Sequence, residues 1–134
     1  MLRCLIVDDS PYFRDAARGL LECEGVAVVG VASDCAQAMQ QAEQLRPNVA
    51  LVDIDLGGES GLELAGRLHR ETGPAPPPVI LISSHAEEEY ADLIAASPAV
   101  GFLPKTALSA RAIHDMLSAA DDGHRDSVIG PPER

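Results

Sequence analysis

Several side chains that can bind metal ions or phosphate follow short apolar runs in this sequence. Asp8 and Asp9 stand together after the run at residues 3–7. Three further residues of this kind lie at the ends of later apolar runs: Asp53, Ser83 and Lys105. Oxygen ligands suit a hard divalent ion such as Mg²⁺, and a carboxylate can attack phosphorus to form an acyl phosphate. Because a hydroxyl and an ammonium group can bind phosphoryl oxygens, these residue types indicate magnesium-dependent phosphoryl chemistry.

Five short apolar runs, which alternate with segments of helical pattern, must position these side chains. The predicted strands are residues 3–7, 26–32, 49–54, 79–83 and 100–104. Ser10 before Pro11 suits the start of a first helix. Ser60 with Glu63 forms a capping box for the third helix. Continuous apolar strands that alternate with helices predict a parallel five-stranded sheet covered on both faces.

The carboxyl ends of parallel strands lie along one edge of a sheet, where folds of this class place their sites. All five polar residues should therefore meet at this edge. Three neighbouring carboxylates repel one another unless a cation lies between them, so Asp8 and Asp9 fit half of a Mg²⁺ site beside Asp53. Taken singly, an Asp, Ser or Lys after a strand is more often a helix cap or a solvated loop residue. Their position on four different strands favours the functional interpretation.

The composition narrows the class of protein further. The 134 residues suit one domain, and 21 Asp and Glu against 10 Lys and Arg give a net charge of −11. Because no basic cluster is present, we expect no direct binding of nucleic acid. No membrane-length apolar run and no signal segment are seen, so we expect a cytoplasmic protein without membrane contact. The three cysteines have no metal-type spacing and are predicted to be small, reduced, buried residues: Cys4, Cys23 and Cys35.

Four segments together resemble the receiver domain of two-component response regulators: "LIVDDSP", "VALVDIDLGGESGLEL", "VILISSHA" and "GFLPK". Their order and separations fit that family, so residues 1–120 are interpreted as a receiver domain and residues 121–134 as a flexible C-terminal tail. The resemblance implies a (βα)5 doubly wound, flavodoxin-like fold with strand order 2-1-3-4-5. It implies no enzymatic activity beyond self-phosphorylation and autodephosphorylation.

The resemblance also implies roles for the acidic residues at the edge of the sheet. Asp53 would accept a phosphoryl group from a sensor histidine kinase or a phosphotransfer protein, and it would also contact Mg²⁺. Asp9 would ligate Mg²⁺ directly, whereas Asp8 would act mostly through water. The backbone carbonyl of Asp55 would be a further ligand.

The remaining residues of the predicted site would bind and report the phosphoryl group. Ser83 would bond one phosphoryl oxygen and Lys105 would pair with another. Ser83 and Phe102 would form the switch, with the aromatic ring turning inward on activation. Helix 4, strand 5 and helix 5 would then signal to a downstream protein or to a second copy of the chain. Asp55 and His85 flank the expected phosphoryl group, and they suit solvated residues as well as a role in tuning its lifetime.

The sequence departs from the family pattern at two loop positions. Gly57 and Thr106 stand where the family often has proline. A cis peptide after Lys105 would cost about 2.5–4 kcal/mol without proline, which leaves the geometry of this loop open.

Other functions are compatible with parts of the pattern. "DIDLG" at residues 53–57 resembles the D-x-D-x-T/V motif of haloacid-dehalogenase-like phosphatases, although Gly57 replaces the Thr or Val and the acidic pair precedes the motif. A second alternative is a receiver-like adaptor that binds partners without phosphorylation. As a receiver, the chain is either stand-alone or a fragment of a helix-turn-helix-bearing regulator.

Overall fold

The computed structural model describes the main chain of residues 1–84 and 90–129, and the side chains as far as residue 120. His85 and residues 130–134 therefore lie outside the described residues. The strands are β1 (Arg3–Val7), β2 (Ala27–Ala32), β3 (Val49–Asp53), β4 (Val79–Ser83) and β5 (Gly101–Pro104). The helices are α1 (Pro11–Cys23), α2 (Cys35–Leu45), α3 (Gly61–Glu71), α4 (Ala91–Ala96) and α5 (Ala110–Ile129), and a 3₁₀ turn spans Lys105–Ala107.

The five strands form one parallel sheet in the order β2-β1-β3-β4-β5. This arrangement confirms the predicted doubly wound, flavodoxin-like fold. Strand β3 is central, with β1 on one side and β4 on the other. The register pairs Asp53 with Ile82 and Ser83 with Pro104. The ends of β3, β4 and β5 therefore lie side by side at one edge of the sheet.

Side chains alternate along each strand between two apolar clusters, one on each face of the sheet. One cluster packs against α2 and α3 and includes Leu5, Val7, Val52, Leu64 and Leu68. The other packs against α1 and α5 and includes Ile6, Leu51, Ile82, Leu21 and Ile113. Burying each large aliphatic side chain contributes about 1.5–3 kcal/mol, so the two clusters fix the sheet that carries the site.

The predicted helix starts are confirmed by their capping hydrogen bonds. The hydroxyl of Ser10 accepts from the backbone N–H of Phe13 at 3.2 Å, and that of Ser60 accepts from Glu63 N–H at 3.2 Å. Each bond satisfies a donor that the first helical turn leaves without a partner. The first turns of α1 and α3, which directly follow β1 and the loop after β3, are therefore held in place.

The boundaries differ slightly from those predicted. Three strands are one residue shorter than expected, β2 and β5 at their starts and β3 at its end. The main chain of α5 continues past residue 120 to Ile129, and the flexible tail from residue 121 remains a prediction. No helix in the described part of the chain is both long enough and apolar enough to cross a membrane.

Candidate functional site

Asp8 lies fully buried just beyond the end of β1. Its backbone N–H still donates to the Ala32 carbonyl at 3.0 Å, which continues the pairing with β2. Its Oδ1 accepts from the backbone N–H of Ser10 at 2.9 Å. Its buried Oδ2 has no aligned hydrogen-bond donor among the described residues and lies 2.7 Å from Nζ of Lys105. We regard this short contact as an ion pair, because opposite charges attract even where the hydrogen-bond angles are poor.

Asp53 ends the central strand and is only 6% exposed. Its Oδ1 accepts from the backbone N–H of Asp55 at 3.1 Å, and its Oδ2 lies 3.0 Å from Nζ of Lys105. The ammonium group of Lys105 therefore bridges the carboxylates of Asp8 and Asp53. This bridge joins the ends of three strands, because Lys105 directly follows β5.

Asp9 completes a cluster of acidic side chains with Asp8 and Asp53. One carboxylate oxygen from each of the three lies within 4.8 Å of the others. Asp9 is exposed, whereas the other two are buried, so one side of the cluster opens to solvent. Lys105 pairs with two of the three carboxylates, Asp8 and Asp53, and Asp8 Oδ2 has no aligned donor among the described residues. This oxygen-only set fits a hard divalent cation, which would balance the excess negative charge.

The electrostatics of Asp53 and Lys105 reflect the crowding of charge. Burial raises the pKa of Asp53 and the negative charge of Asp8 raises it further; these effects exceed the lowering by Lys105 and the N–H of Asp55. Burial acts to lower the pKa of Lys105, but its contacts with Asp8 and Asp53 outweigh this, and the pKa is raised. Lys105 therefore carries its charge at neutral pH, and the site strongly favours added positive charge.

Ser83 is the last residue of β4 and follows Ile82, which pairs with Asp53, whereas Phe102 lies inside β5, two residues before its end. Ser83 is 1% exposed and pairs in the sheet with Pro104, the residue before Lys105. Phe102 is 8% exposed and belongs to the apolar cluster that also packs against Tyr90 and Ile94. The ring therefore already lies inward in this structure.

The side chain of Asp55 does not join the acidic cluster. It is exposed, and its Oδ1 accepts from the backbone N–H of Gly57 at 3.2 Å, closing a turn of the loop after β3. Gly57 has a φ of +63°, and a Cβ atom placed there would lie 2.6 Å from Oδ2 of Asp9. Glycine therefore leaves room for the Asp9 carboxylate. The sequence shows only that Gly57 departs from the family pattern, and it does not show this contact.

The loop after Lys105 and the first turn of α1 contain features that sequence reasoning left open or missed. No cis peptide occurs in the described residues, so the Lys105–Thr106 bond is trans. The ring of Phe13 lies against Lys105, with 4.3 Å between Nζ and the ring centroid. Arg14 Nη1 donates to the backbone carbonyl of Asp8 at 2.6 Å. No motif marks either residue, since helical spacing alone also suits a core aromatic and a surface arginine.

The cysteines are all free thiols, but they are not all buried as predicted. Cys4 is fully buried, and burial raises its pKa to about 12. Cys35 is half-buried, and burial together with the nearby Glu59 raises its pKa to about 11. Cys23 is exposed because it lies on the solvent side of the last turn of α1, so the prediction for this residue is wrong.

Comparison with known proteins places this geometry in a family. The model of the response regulator receiver domain matches residues 4–118. The transcriptional regulatory protein LiaR of Bacillus subtilis strain 168 is 30% identical over 124 residues, covering 92% of this chain and 57% of LiaR. The protein-glutamate methylesterase/protein-glutamine glutaminase of Alkalilimnicola ehrlichii is 36% identical over 108 residues, covering 78% of this chain and 27% of that protein. The chain thus spans about a quarter to just over half the length of these curated relatives.

Two solved structures similar to this chain are also receiver domains. The receiver domain of the putative response regulator NarL from Mycobacterium tuberculosis is 31% identical, with a TM-score of 0.76 over 90% of this chain and 96% of that one. The receiver domain of a modulated diguanylate cyclase from Desulfovibrio desulfuricans G20 is 30% identical, with a TM-score of 0.74 over 97% and 99% of the two chains. The fold, the acidic cluster and these matches together show that this chain belongs to the response regulator receiver domain family of two-component signalling.

Proposed function

We propose that this chain accepts a phosphoryl group on Asp53 from a sensor histidine kinase or a phosphotransfer protein. The observation that supports this proposal is the position of the Asp53 carboxylate between a positively charged group and a pair of negatively charged groups. Asp53 ends the central strand with its Oδ2 3.0 Å from the Lys105 ammonium, and its carboxylate faces the acidic pair Asp8 and Asp9. An attacking oxygen, a cation and a metal-type acidic pair are the groups that phosphoryl transfer to a carboxylate requires.

In the proposed reaction, a carboxylate oxygen of Asp53 attacks the phosphorus of the donor's phosphohistidine. A P–O bond forms as the P–N bond breaks, and the donor imidazole nitrogen keeps the electron pair. Lys105 binds one phosphoryl oxygen and the hydroxyl of Ser83 binds another. A bound Mg²⁺ supplies charge neutralisation for the carboxylates and the phosphoryl oxygens. Its proposed ligands are Asp9 directly, Asp53, the backbone carbonyl of Asp55, and Asp8 mostly through water.

The phosphatase alternative receives less support from the arrangement of the loop. In that reaction the second Asp of the motif, here Asp55, would have to donate a proton at the reacting centre. Its carboxylate instead accepts a hydrogen bond from Gly57 and lies outside the cluster formed by Asp8, Asp9 and Asp53. The methylesterase activity named for one relative is that protein's own.

For the output, we propose that phosphorylation is read on the face formed by α4, β5 and α5. Phe102 and Ile113 are buried beneath this face, so exposed neighbours must make the contacts with a downstream protein or a second copy of the chain. Ser83 follows Ile82, which pairs with Asp53 in the sheet, and its strand β4 also pairs with β5. A movement of Ser83 toward the phosphoryl group would thus act on an element directly bonded to β5. Phosphorylation would bias a pre-existing equilibrium between two arrangements.

Phosphotransfer from a phosphorylated kinase tests the proposed function. The chain should remove the phosphoryl group from a cognate histidine kinase within minutes when Mg²⁺ is present, and chelation by EDTA should stop the transfer. Gel-based transfer from each purified kinase of the host would measure this. Failure to accept a phosphoryl group from any kinase and from acetyl phosphate would support the adaptor alternative instead.

Metal binding should stabilise the fold because a cation relieves the repulsion among Asp8, Asp9 and Asp53. By mass action, Mg²⁺ at 100 times its Kd should raise the free energy of unfolding by about 2.7 kcal/mol. Asp9→Ala should remove most of this gain, since Asp9 belongs to the cluster and is the proposed direct ligand of the ion. Urea unfolding with Mg²⁺ and with NaCl of equal ionic strength would measure the difference.

The matched control for Asp9→Ala is Glu43→Ala, which removes an exposed carboxylate from α2, away from the cluster. Glu43→Ala should keep the full response to Mg²⁺. A stability that does not respond to Mg²⁺ in the unmodified chain would refute the metal site.

A further inference from the structure

The ammonium group of Lys105 has three close contacts among the described residues. Two contacts are the carboxylates of Asp8 and Asp53, at 2.7 Å and 3.0 Å. The third is the face of the Phe13 ring, with its centroid 4.3 Å from Nζ. A cation within about 6 Å of a ring centroid is attracted by the electrons of the ring. Phe13 is thus the uncharged part of the surroundings that hold this cation.

The ring contact differs from the other two in how it should respond to phosphorylation. An Asp53 oxygen becomes part of an acyl phosphate, and a bound divalent cation competes with Lys105 for the carboxylates. Both ion pairs therefore change or weaken when the site is occupied. The contact with Phe13 depends on neither charge. It remains to restrain a long, flexible side chain at the moment when Lys105 has to meet a phosphoryl oxygen.

The sequence places this ring by the same turn that places Asp8. The N–H of Phe13 donates to the Ser10 hydroxyl at 3.2 Å, and the N–H of Ser10 donates to Asp8 Oδ1 at 2.9 Å. Ser10 is thus hydrogen-bonded to two of the residues that contact Nζ, Asp8 and Phe13. Arg14, the next residue, donates to the carbonyl of Asp8 at 2.6 Å. The first turn of α1 therefore aligns the ring and one carboxylate with Lys105 as a single unit.

We propose that Phe13 is a positioning residue, whose ring face holds the Lys105 ammonium in the place where it binds a phosphoryl oxygen on Asp53. The proposal rests on the function proposed above for Asp53 and Lys105. It assigns to the first turn of α1 a part in phosphoryl binding as well as in folding.

Affinity for beryllofluoride, a stable mimic of the phosphoryl group, tests this role. We expect Phe13→Leu, which keeps apolar bulk but removes the ring face, to weaken binding in saturating Mg²⁺ by about five-fold, the range of a partly desolvated cation–π contact. Phe13→Tyr keeps the ring and should restore the affinity. Tyr12→Leu is the matched control, because Tyr12 is an aromatic residue of the same turn but is 87% exposed. Fluorine NMR titration would give all four dissociation constants.

A double-mutant cycle with Lys105→Met separates positioning from general packing. If Phe13 acts through Lys105, Phe13→Leu should cause no further loss of affinity once the ammonium group is absent. An equal loss in both backgrounds, or a loss in Phe13→Tyr as large as in Phe13→Leu, would overturn the proposal. Phe13→Met also lacks the ring and replaces Phe13→Leu if thermal unfolding shows that the leucine variant is not folded. Absence of beryllofluoride binding by the unmodified chain would instead refute the proposed function of Asp53.

Discussion

Asp53→Asn should lose all stable phosphorylation by acetyl phosphate in the presence of Mg²⁺. The amide of asparagine carries no charge and is a poor nucleophile, so no acyl phosphate forms at this position. Among the described carboxylates, Asp8 also contacts Lys105, but its side chain is fully buried and is therefore less accessible to a phosphoryl donor than that of Asp53. Intact-mass spectrometry should show one added phosphoryl group on the unmodified chain and none on the variant.

Asp55→Asn provides the matched control for this experiment. It makes the same chemical change two residues along the chain, at an exposed carboxylate. The hydrogen bond described for this carboxylate, from the N–H of Gly57, lies within its own loop. This variant should still accept one phosphoryl group. Equal labelling of Asp53→Asn and the unmodified chain would contradict the assignment of Asp53.

Gly61→Ala should destabilise the whole fold by at least about 3 kcal/mol, at the upper end of the cost of overpacking a core. Gly61 is buried in the first turn of α3, and its N–H donates to the Ile54 carbonyl at 2.7 Å. A Cβ atom at this position would overlap the carbonyl oxygen of Asp53 and lie 2.7 Å from its carbonyl carbon. Backbone atoms cannot rotate away as a side chain can, so β3 or α3 would have to move.

Gly19→Ala is the opposite control, because nothing lies within 4 Å of the Cβ it would add on the solvent side of α1. Alanine is favoured over glycine within a helix, so this variant should gain about 0.5–1 kcal/mol. Urea unfolding of both variants would measure the contrast. A stable Gly61→Ala variant that still binds Mg²⁺ would show that α3 can move away from Asp53 without harm.

The set of residues that meet at the edge of the sheet could be predicted because a few physical rules determine it. Apolar strands alternating with helices leave little choice but a parallel sheet, and parallel strands end on one side. Asp8, Asp53 and Lys105 therefore had to be neighbours wherever the loops went, and the two ion pairs confirm this. The three-carboxylate cluster with Asp9 follows from the same rule.

What could not be predicted depends on the path of loops and on which way a side chain turns. Asp55 suits two interpretations by sequence, and its hydrogen bond from the N–H of Gly57 depends on the path of the loop, which no sequence pattern specifies. The contact of Phe13 with Lys105 joins two residues far apart in sequence, and no local pattern reports such a meeting. Cys23 was expected inside because cysteine usually is, but its helix turns that face to solvent.

The close approach of Gly57 to Asp9 restricts which pieces of related receivers could be exchanged with this one. The φ of +63° at Gly57 is closed to proline, whose ring fixes φ near −65°. Any side chain at this position would also meet the Asp9 carboxylate, which would have to turn away. A chimera that takes the loop after β3 from a proline-bearing relative would thus disturb a residue at the end of a different strand. The loop after β3 and the segment after β1 that carries Asp9 would therefore have to be exchanged together.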